Sequence, residues 1–324
     1  MSERQPRVSI GLPVYNGQRF LAPAVSSLLA QTFTDFELVL CDNASTDDTA
    51  SICRRLAAED RRVRYHRNEQ NIGAAPNFNR AFDLSAGHYF KWAAHDDLYA
   101  PTYLEKCVAV LDNDPSVVLC HGRTVVIDED GQEVCPPKAA DSAQGCNGHP
   151  RVNGSPVVAG GAGPPALVWE DLYDAPRRLD SPRPQQRFRD VLLSTRRCFE
   201  IFGLARREAM ARTGGHGSFY GSDKVILSAL SLMGRLVEVP EPLFFRRHHA
   251  GASGSIKSVR AREAWIGARV KGWWVFPRVK CLRGYCRSVV EAQLGWRERT
   301  GCFAAVARYV LQGHRWVAVL REPW

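Results

Sequence analysis

Lys91–Pro101, KWAAHDDLYAP, is the stretch on which the reading of this 324-residue chain turns. An apolar run (Tyr89, Phe90, Trp92, Ala93, Ala94) ends in two adjacent carboxylates, Asp96 and Asp97, and a helix opens close behind at Pro101 or Thr102. A buried strand that stops at acids and leads into a helix points to an open α/β sheet. Such sheets bind ligands in the crevice beyond the carboxyl ends of their strands. Two carboxylates there suit a hard divalent cation and the diphosphate it carries. An isolated Asp-Asp serves equally well as a helix cap with a solvated neighbour, so the surrounding chain decides between the two.

Upstream the same pattern repeats. RVSIGLPVY (7–15) reads as a strand ending at Pro13, with a turn at Asn16-Gly17. Leu21, Val25, Leu28 and Leu29 then fall at helical spacing within 20–30. ELVLC (37–41) is a short apolar run, as in a strand buried on both faces, and it stops at Asp42-Asn43. Ser45-Thr46-Asp47-Asp48 caps a helix running to about Asp60. A strand over 63–66, a loop at Asn71-Ile72-Gly73, a helix over 74–84 and a strand over 88–94 complete the first hundred residues. The order β-α-β-α-β-α-β predicts a Rossmann-like, doubly wound, mostly parallel sheet.

In that topology Pro13-Val14-Tyr15, Asp42-Asn43 and Asp96-Asp97 lie along one edge of the sheet. An aromatic ring there can stack on a base, and a carboxylate can accept from a base N–H or a ribose hydroxyl. The chain has no GxGxxG and no GxxxxGK[ST], so no glycine-rich cradle holds phosphates. A metal ion then has more charge to neutralise, which favours Asp97 as a ligand.

Beyond Pro101 the spacing predicts a helix over 103–111, a strand over 117–128 and a turn at Asp130-Gly131. Residues 132–186 are rich in Pro, Gly, Ala and Asp with little periodicity, as in a functional lid or a mobile insertion. FEIFGLA (199–205) reads as a strand and 206–213 as a short helix. GGHGSFYGSDKVILSALSLMG then enters a helix with Ser222-Asp223 at its start, where an acid favours the helix dipole. Residues 235–245 read as a strand, followed by FRRHHAGASGS.

The segments LPVYNGQRFLAPAVSSLLAQTFTDFELVLCDNASTDDT, NEQNIGAAPNFNRAF and HDDLYAP together resemble the inverting glycosyltransferases of family 2, which have the GT-A fold. The resemblance covers roughly 7–130 and returns at 198–255. It implies a donor nucleotide pocket in which Asp42 contacts the base, Pro13 and Tyr15 line the same pocket, Asn71 and Gly73 approach the nucleotide, and Asp96 contacts the ribose. It implies that Asp97 binds Mn²⁺ or Mg²⁺ bridging the donor's diphosphate, that Asp223 is the general base, and that His248 is a metal ligand or diphosphate contact. The segment 132–186 would lie near the acceptor side. The family usually has an acid before its base, and this chain has Ser222, which bears on the type of acceptor. Inversion is a direct displacement and needs one base on the acceptor hydroxyl, and the leaving diphosphate needs the Lewis acidity of a metal.

Composition limits the alternatives. Residues 257–324 carry 14 Lys/Arg against 4 Asp/Glu, whereas the first 256 carry 29 against 30. Six of the eight tryptophans also lie in 257–324, a basic helical tail after a glycosyltransferase domain over 1–256. Basic amphipathic helices bearing Trp suit a membrane surface. No nucleic-acid motif accompanies the charge. No apolar run is long enough to span a membrane, and the polar MSERQPRVSI is unlike a secretory signal. The ten cysteines have no CxxC pairs, and Cys41, Cys107 and Cys120 sit in apolar segments, as buried thiols do in a reducing compartment.

The reading is a metal-dependent inverting glycosyltransferase at the cytoplasmic side of a membrane. It would move a sugar from a nucleotide-sugar donor to a hydroxyl of a cell-surface glycan or lipid-linked precursor. One rival is a polyprenyl-phosphate sugar synthase on the same fold, whose phosphate acceptor needs no strong base and would tolerate Asp223→Asn. The other is a non-catalytic nucleotide- or glycan-binding scaffold, against which Asp42, Asp96, Asp97 and Asp223 stand together.

Overall fold

A computed structural model describes residues 5–134, 177–256, 258–267 and 277–312. Strands β1 (Val8–Val14) and β2 (Phe36–Asp42) are buried at every position. Their side chains alternate between two covered faces, which is why their sequences are continuously apolar rather than alternating. β3 (Val63–Arg67) and β4 (Tyr89–Trp92) flank them, and the pairs β1–β2, β2–β3 and β1–β4 are all parallel. Helices α1 (Leu21–Leu29), α2 (Thr49–Glu59) and α3 (Ala74–Asp83) make the crossovers.

The period of two along each strand sorts the core. Val8, Ile10, Leu12, Leu38 and Leu40 pack with α1, α2 and α4 (Tyr103–Asn113) through Leu21, Val25, Leu28, Cys53, Leu56 and Cys107. On the opposite face, Val39 and Cys41 meet Ala81 of α3, while Phe90 and Trp92 belong to a second cluster with Ile226 and Leu230.

The sheet continues through β5 (Leu98–Tyr99), β6 (Val117–Ile127), β7 (Leu204–Arg206) and β8 (Arg235–Arg247) in the order β3-β2-β1-β4-β7-β6-β8-β5. β7 runs antiparallel to β4 and β6, β6 and β8 are parallel, and β5 is antiparallel to β8. The sheet is therefore mixed but mostly parallel.

Two local expectations are corrected. Residues 199–205 do not form one strand: Phe199–Phe202 is a 3-10 turn, entered through Cys198 at φ 52°, and only Leu204–Arg206 joins the sheet. The alternating Phe199, Ile201 and Gly203 imitate a strand, but the turn is held from outside, with Tyr103 Oη donating to the Phe202 carbonyl at 3.0 Å. The helix after the two acids is also preceded by β5, a two-residue strand too short for any periodic signal.

The C-terminal part contributes α5 (Pro184–Ser194), α6 (Arg207–Arg212), α7 (Ser222–Met233), α8 (Val259–Gly267), α9 (Pro277–Glu291) and α10 (Trp296–Leu311). Tyr285 and Val289 of α9 and Cys302, Ala305, Val306 and Tyr309 of α10 form one cluster with Phe188, Leu192 and Leu232 of α5 and α7. The described tail helices thus pack on the sheet domain. Of the segment expected as a lid or insertion, 135–176 lies outside the described residues. The eight cysteines among the described residues are free thiols.

Candidate active site

The carboxyl ends of β1, β2 and β4 converge as the topology requires. Pro13 is buried within β1, and Tyr15 just beyond it keeps 41% of its surface exposed. Asp42, the last residue of β2, is completely buried. Its Oδ1 accepts the Ser45 N–H at 2.8 Å, and its Oδ2 accepts the Tyr65 hydroxyl at 2.9 Å and Arg67 Nη1 at 2.5 Å. The carboxylate ties the end of β2 to the Ser45 turn and to β3.

Next to it a chain of asparagines fixes the loop before α3. Asn77 Nδ2 donates to the Cys41 carbonyl at 2.8 Å, and Asn68 Nδ2 donates to both Asn77 Oδ1 and Asn43 Oδ1 at 2.9 Å. Asn43 Nδ2 in turn donates to Asn71 Oδ1 at 2.9 Å and to the Gly73 carbonyl at 3.2 Å. Gly73 has φ 89°, a conformation that suits glycine and lets α3 start at once. Asn71 and Gly73 are therefore tied to the end of β2, Asn71 exposed and Gly73 buried.

The diacid divides into two environments. Asp97 is almost wholly buried, and its Oδ1 accepts the Arg247 N–H at 2.8 Å. Burial, and then the charge of Asp96, push the Asp97 carboxyl well above the usual range. Asp96 is less enclosed, and its Oδ2 lies 2.9 Å from His249 Nε2. Burial alone would raise Asp96, but the His249 contact and neighbouring positive charges outweigh it and hold it low. β5 sets this geometry: Leu98 pairs with Phe245 and Tyr99 with Phe244, which brings the end of β8 against the acids. Arg247 completes the clamp, its Nε donating to the Asp96 carbonyl and its Nη1 to those of Asp128 and Glu129. The fully buried Lys91 lies nearby, its Nζ 3.5 Å from the centroid of the Tyr99 ring and without a hydrogen-bond acceptor. Burial pushes that amine well below its usual range.

The carboxylate and imidazole that stand side by side are Asp96 and His249, not Asp97 and His248. The half-buried His248 donates its backbone N–H to the Ile127 carbonyl, and burial, then Arg246, lowers its ring. Strand register at the end of β8 decides which of two consecutive histidines faces the acids, and sequence alone does not resolve a one-residue register. The carboxylates of Asp96 and Asp97 are hard oxygen donors of the kind that fits Mn²⁺ or Mg²⁺. Among the described residues no group of three or more His, Cys, Asp or Glu side chains is placed to share an ion. Few protein ligands completed by substrate phosphates is the usual arrangement for such an ion.

On the far side of β4, Asp223 stands in the first turn of α7 with its side chain half exposed. Its Oδ1 lies 3.2 Å from Nδ1 of the buried His216. His216 packs edge-on against Trp92 of β4, with ring centroids 4.5 Å apart. The strand that leads to the diacid is thus also the wall behind Asp223. Sequence reasoning passed over His249, Arg247 and His216. The doubled His248-His249 carried a signal, and His216 sits in the quoted glycine-rich loop with nothing to mark it.

Residues 9–142 match the family model of glycosyl transferase family 2. The chain is 35% identical over 127 residues to the putative glycosyltransferase EpsE of Bacillus subtilis, covering 39% of this chain and 46% of that protein. It is 35% identical over 129 residues to a chondroitin synthase of Escherichia coli, covering 40% of this chain and 19% of that one. The chain therefore spans less than half the length of these curated relatives. Among solved structures it is similar to Staphylococcus aureus TarS 1-349 in complex with UDP-GlcNAc, with TM-score 0.60, 15% identity, and 94% of this chain and 71% of that one covered. A mannosyltransferase, PcManGT from Pyrobaculum calidifontis, in complex with GDP-Man and Mn²⁺, gives TM-score 0.50 at 18% identity, with 96% and 76% covered. The fold is the GT-A fold of glycosyltransferases. The match to glycosyl transferase family 2 is carried by residues 9–142, the part of the sheet domain that runs from β1 through β6.

Proposed function

We propose that this protein is a metal-dependent inverting glycosyltransferase that moves a sugar from a nucleotide-sugar donor to a hydroxyl of a cell-surface glycan or lipid-linked precursor. The observation that carries this reading is a set of three features around the ends of β2 and β4. They are the braced loop at Asn71–Gly73, the Asp96–His249 pair at the end of β4, and the half-exposed Asp223 behind the same strand. Tyr15 and the donor loop hold the nucleotide over the floor made by Pro13 and Asp42. Asp96 and His249 would hold the divalent ion, with Asp97 and the Arg247 clamp fixing the loop behind them. When bound, the ion supplies charge to the donor's diphosphate. Asp223 takes the proton of the acceptor hydroxyl as that oxygen attacks the anomeric carbon from the face opposite the diphosphate. The structures with UDP-GlcNAc and GDP-Man support UDP- and GDP-sugars as the first donors to try.

Calorimetric titration with UDP, GDP and dTDP, with and without Mn²⁺, tests the donor site. One nucleotide is expected to bind in a metal-dependent way. Asp96→Ala abolishes that dependence in a folded protein. Asp97→Ala also lowers stability, because it leaves the Arg247 N–H without its acceptor. Absence of nucleotide binding by the folded protein would favour the scaffold reading. Asp223→Asn keeps nucleotide binding and loses transfer; transfer near the wild-type rate would favour a phosphate acceptor.

Among the described residues no helix is long and apolar enough to cross a membrane. Trp296, Phe303, Val310 and Leu311 form an exposed stripe along α10, with Trp296 72% and Leu311 81% exposed. Arg297 lies against the Trp296 ring. Such a stripe in a basic tail supports peripheral contact with an anionic bilayer at its cytoplasmic face. Wild-type protein is expected to co-sediment with phosphatidylglycerol vesicles. Trp296→Asp combined with Phe303→Asp should release it, and equal sedimentation of the two would remove the membrane contact.

A further inference from the structure

The loop before α7 sets one imidazole against the candidate base. His216 Nδ1 lies 3.2 Å from Asp223 Oδ1 and 3.4 Å from Ser222 Oγ. The ring is buried between Trp92 and Phe78, at centroid distances of 4.5 and 5.0 Å, and its Nε2 is buried without a partner. A phenyl ring would fill the same slot and bury no unpaired nitrogen, so packing does not account for a histidine here. The backbone is fixed as firmly as the ring. The His216 N–H donates to Asn79 Oδ1 at 2.7 Å, and Asn79 Nδ2 donates to the His216 carbonyl at 2.9 Å. Gly215 has φ +72°, and a Cβ there would meet Asn79 Oδ1 at 2.5 Å, so the loop closes on α3 only with glycine.

We propose that His216 is a positioning residue for Asp223. It donates its Nδ1–H to Asp223 Oδ1 and so leaves Oδ2 turned outward to take the acceptor's proton. This rests on Asp223 being the general base. In the step it serves, the acceptor O–H proton passes to Asp223 Oδ2 and the acceptor oxygen bonds to the anomeric carbon. The bond from that carbon to the diphosphate oxygen breaks, its electron pair leaving with the nucleoside diphosphate. A half-exposed carboxylate on a first helical turn is otherwise free to rotate, and misplacement of a reacting group by about 1 Å costs about 100-fold in rate.

Four forms of the full chain test this: wild type, His216→Phe, His216→Asn and Asp223→Asn. Turnover is read as UDP or GDP release from UDP-GlcNAc and GDP-mannose with Mn²⁺, water serving as acceptor. Nucleotide binding, thermal midpoint and the ¹⁵N-detected protonation pattern of the histidine rings are measured alongside. In the wild type the His216 ring should carry its proton on Nδ1, and that resonance should move in Asp223→Asn. His216→Phe should keep the thermal midpoint and nucleotide affinity while kcat falls by about 10- to 100-fold. His216→Asn, which restores an N–H donor, should recover part of the loss. A bare Nδ1 overturns the inference whether or not either donor turns over. So does wild-type kcat in His216→Phe, or a loss of kcat matched by a drop in thermal midpoint. If Asp223→Asn itself turns over at the wild-type rate, the base assignment has failed. If Asp223→Asn is inactive and His216→Phe is not, only the role of His216 has failed.

Discussion

The carboxylate of Asp42 has no exposed surface, yet it ends a strand at the mouth of the proposed nucleotide pocket. Its oxygens satisfy the Ser45 N–H, the Tyr65 hydroxyl and Arg67. Buried donors left without acceptors cost about 1–3 kcal/mol each. Asp42→Ala is therefore expected to lower the urea unfolding free energy by at least about 1–3 kcal/mol and to weaken nucleotide binding as the loop at Ser45 loosens. An unchanged unfolding midpoint would show that the carboxylate does not brace the end of β2. The same distinction applies at the diacid. Asp96 and Asp97 are one residue apart, but one sits beside His249 while the other is enclosed on Arg247. The sequence identifies both as acids at a strand end, and their different duties follow from which way successive side chains of one segment point.

At the scale of elements, a buried latch joins β1, β2 and the turn before β4. Glu37 Oε1 accepts the Ser9 hydroxyl at 2.6 Å and the Ala86 N–H at 2.8 Å, and its Oε2 accepts Arg64 Nη1 at 2.6 Å. Burial alone would raise the Glu37 carboxyl, but the Ser9, Arg64 and Ala86 contacts prevail and hold it below its ordinary value. A lowered carboxyl means the unfolded chain binds the proton more readily. Stability from this group is therefore present above the ordinary glutamate pKa of about 4.3 and is lost as pH falls through the depressed value. Glu37→Gln should be less stable than wild type at pH 7, and the gap should narrow on acidification below about pH 4.3. Urea midpoints at several pH values check this, and parallel curves for the two proteins would exclude the latch as a source of acid sensitivity. The alternation of strands and helices up to β4 was legible because each element there is either periodic or a bounded apolar run. β5 and the split at 199–206 were not. A two-residue strand has no period, and an apolar 3-10 turn imitates a strand until its partners are known.

At the scale of the whole molecule, the described tail helices do structural work for the site. α9 and α10 share a core with α5 and α7, and α7 carries Asp223. Tyr285 is fully buried in that core with its ring centroid 5.4 Å from that of Tyr309, whereas Trp296 is exposed. Tyr285→Ala is expected to destabilise the protein by about 3–5 kcal/mol, the range for emptying a large aromatic site. Trp296→Asp should change stability by no more than about 0.5 kcal/mol. Urea unfolding of both variants measures the contrast, and a small effect of Tyr285→Ala would mean that the tail is only loosely attached. The basic residues of α9 and α10 therefore sit on helices with one face packed on the domain and the other exposed.

The sequence by itself determined the order of elements up to β4, the parallel character of the first four strands and the edge at which their polar ends collect. These follow from local periodicity and from the few ways a chain can connect parallel strands. It also marked Pro13, Tyr15, Asp42, Asp96 and Asp97 by residue type at strand ends, whereas Asn71, Gly73, Asp223 and His248 became candidates through the resemblance to family 2 glycosyltransferases. Only the tertiary structure decided that His249 rather than His248 meets the diacid, that Arg247 clamps it, and that His216 stands on Asp223. The first two depend on contacts between segments 150 or more residues apart, and the third on the loop before α7 packing its His216 ring against Trp92 of β4. Strand register and loop packing set such contacts, and neither is written in any local window of the chain.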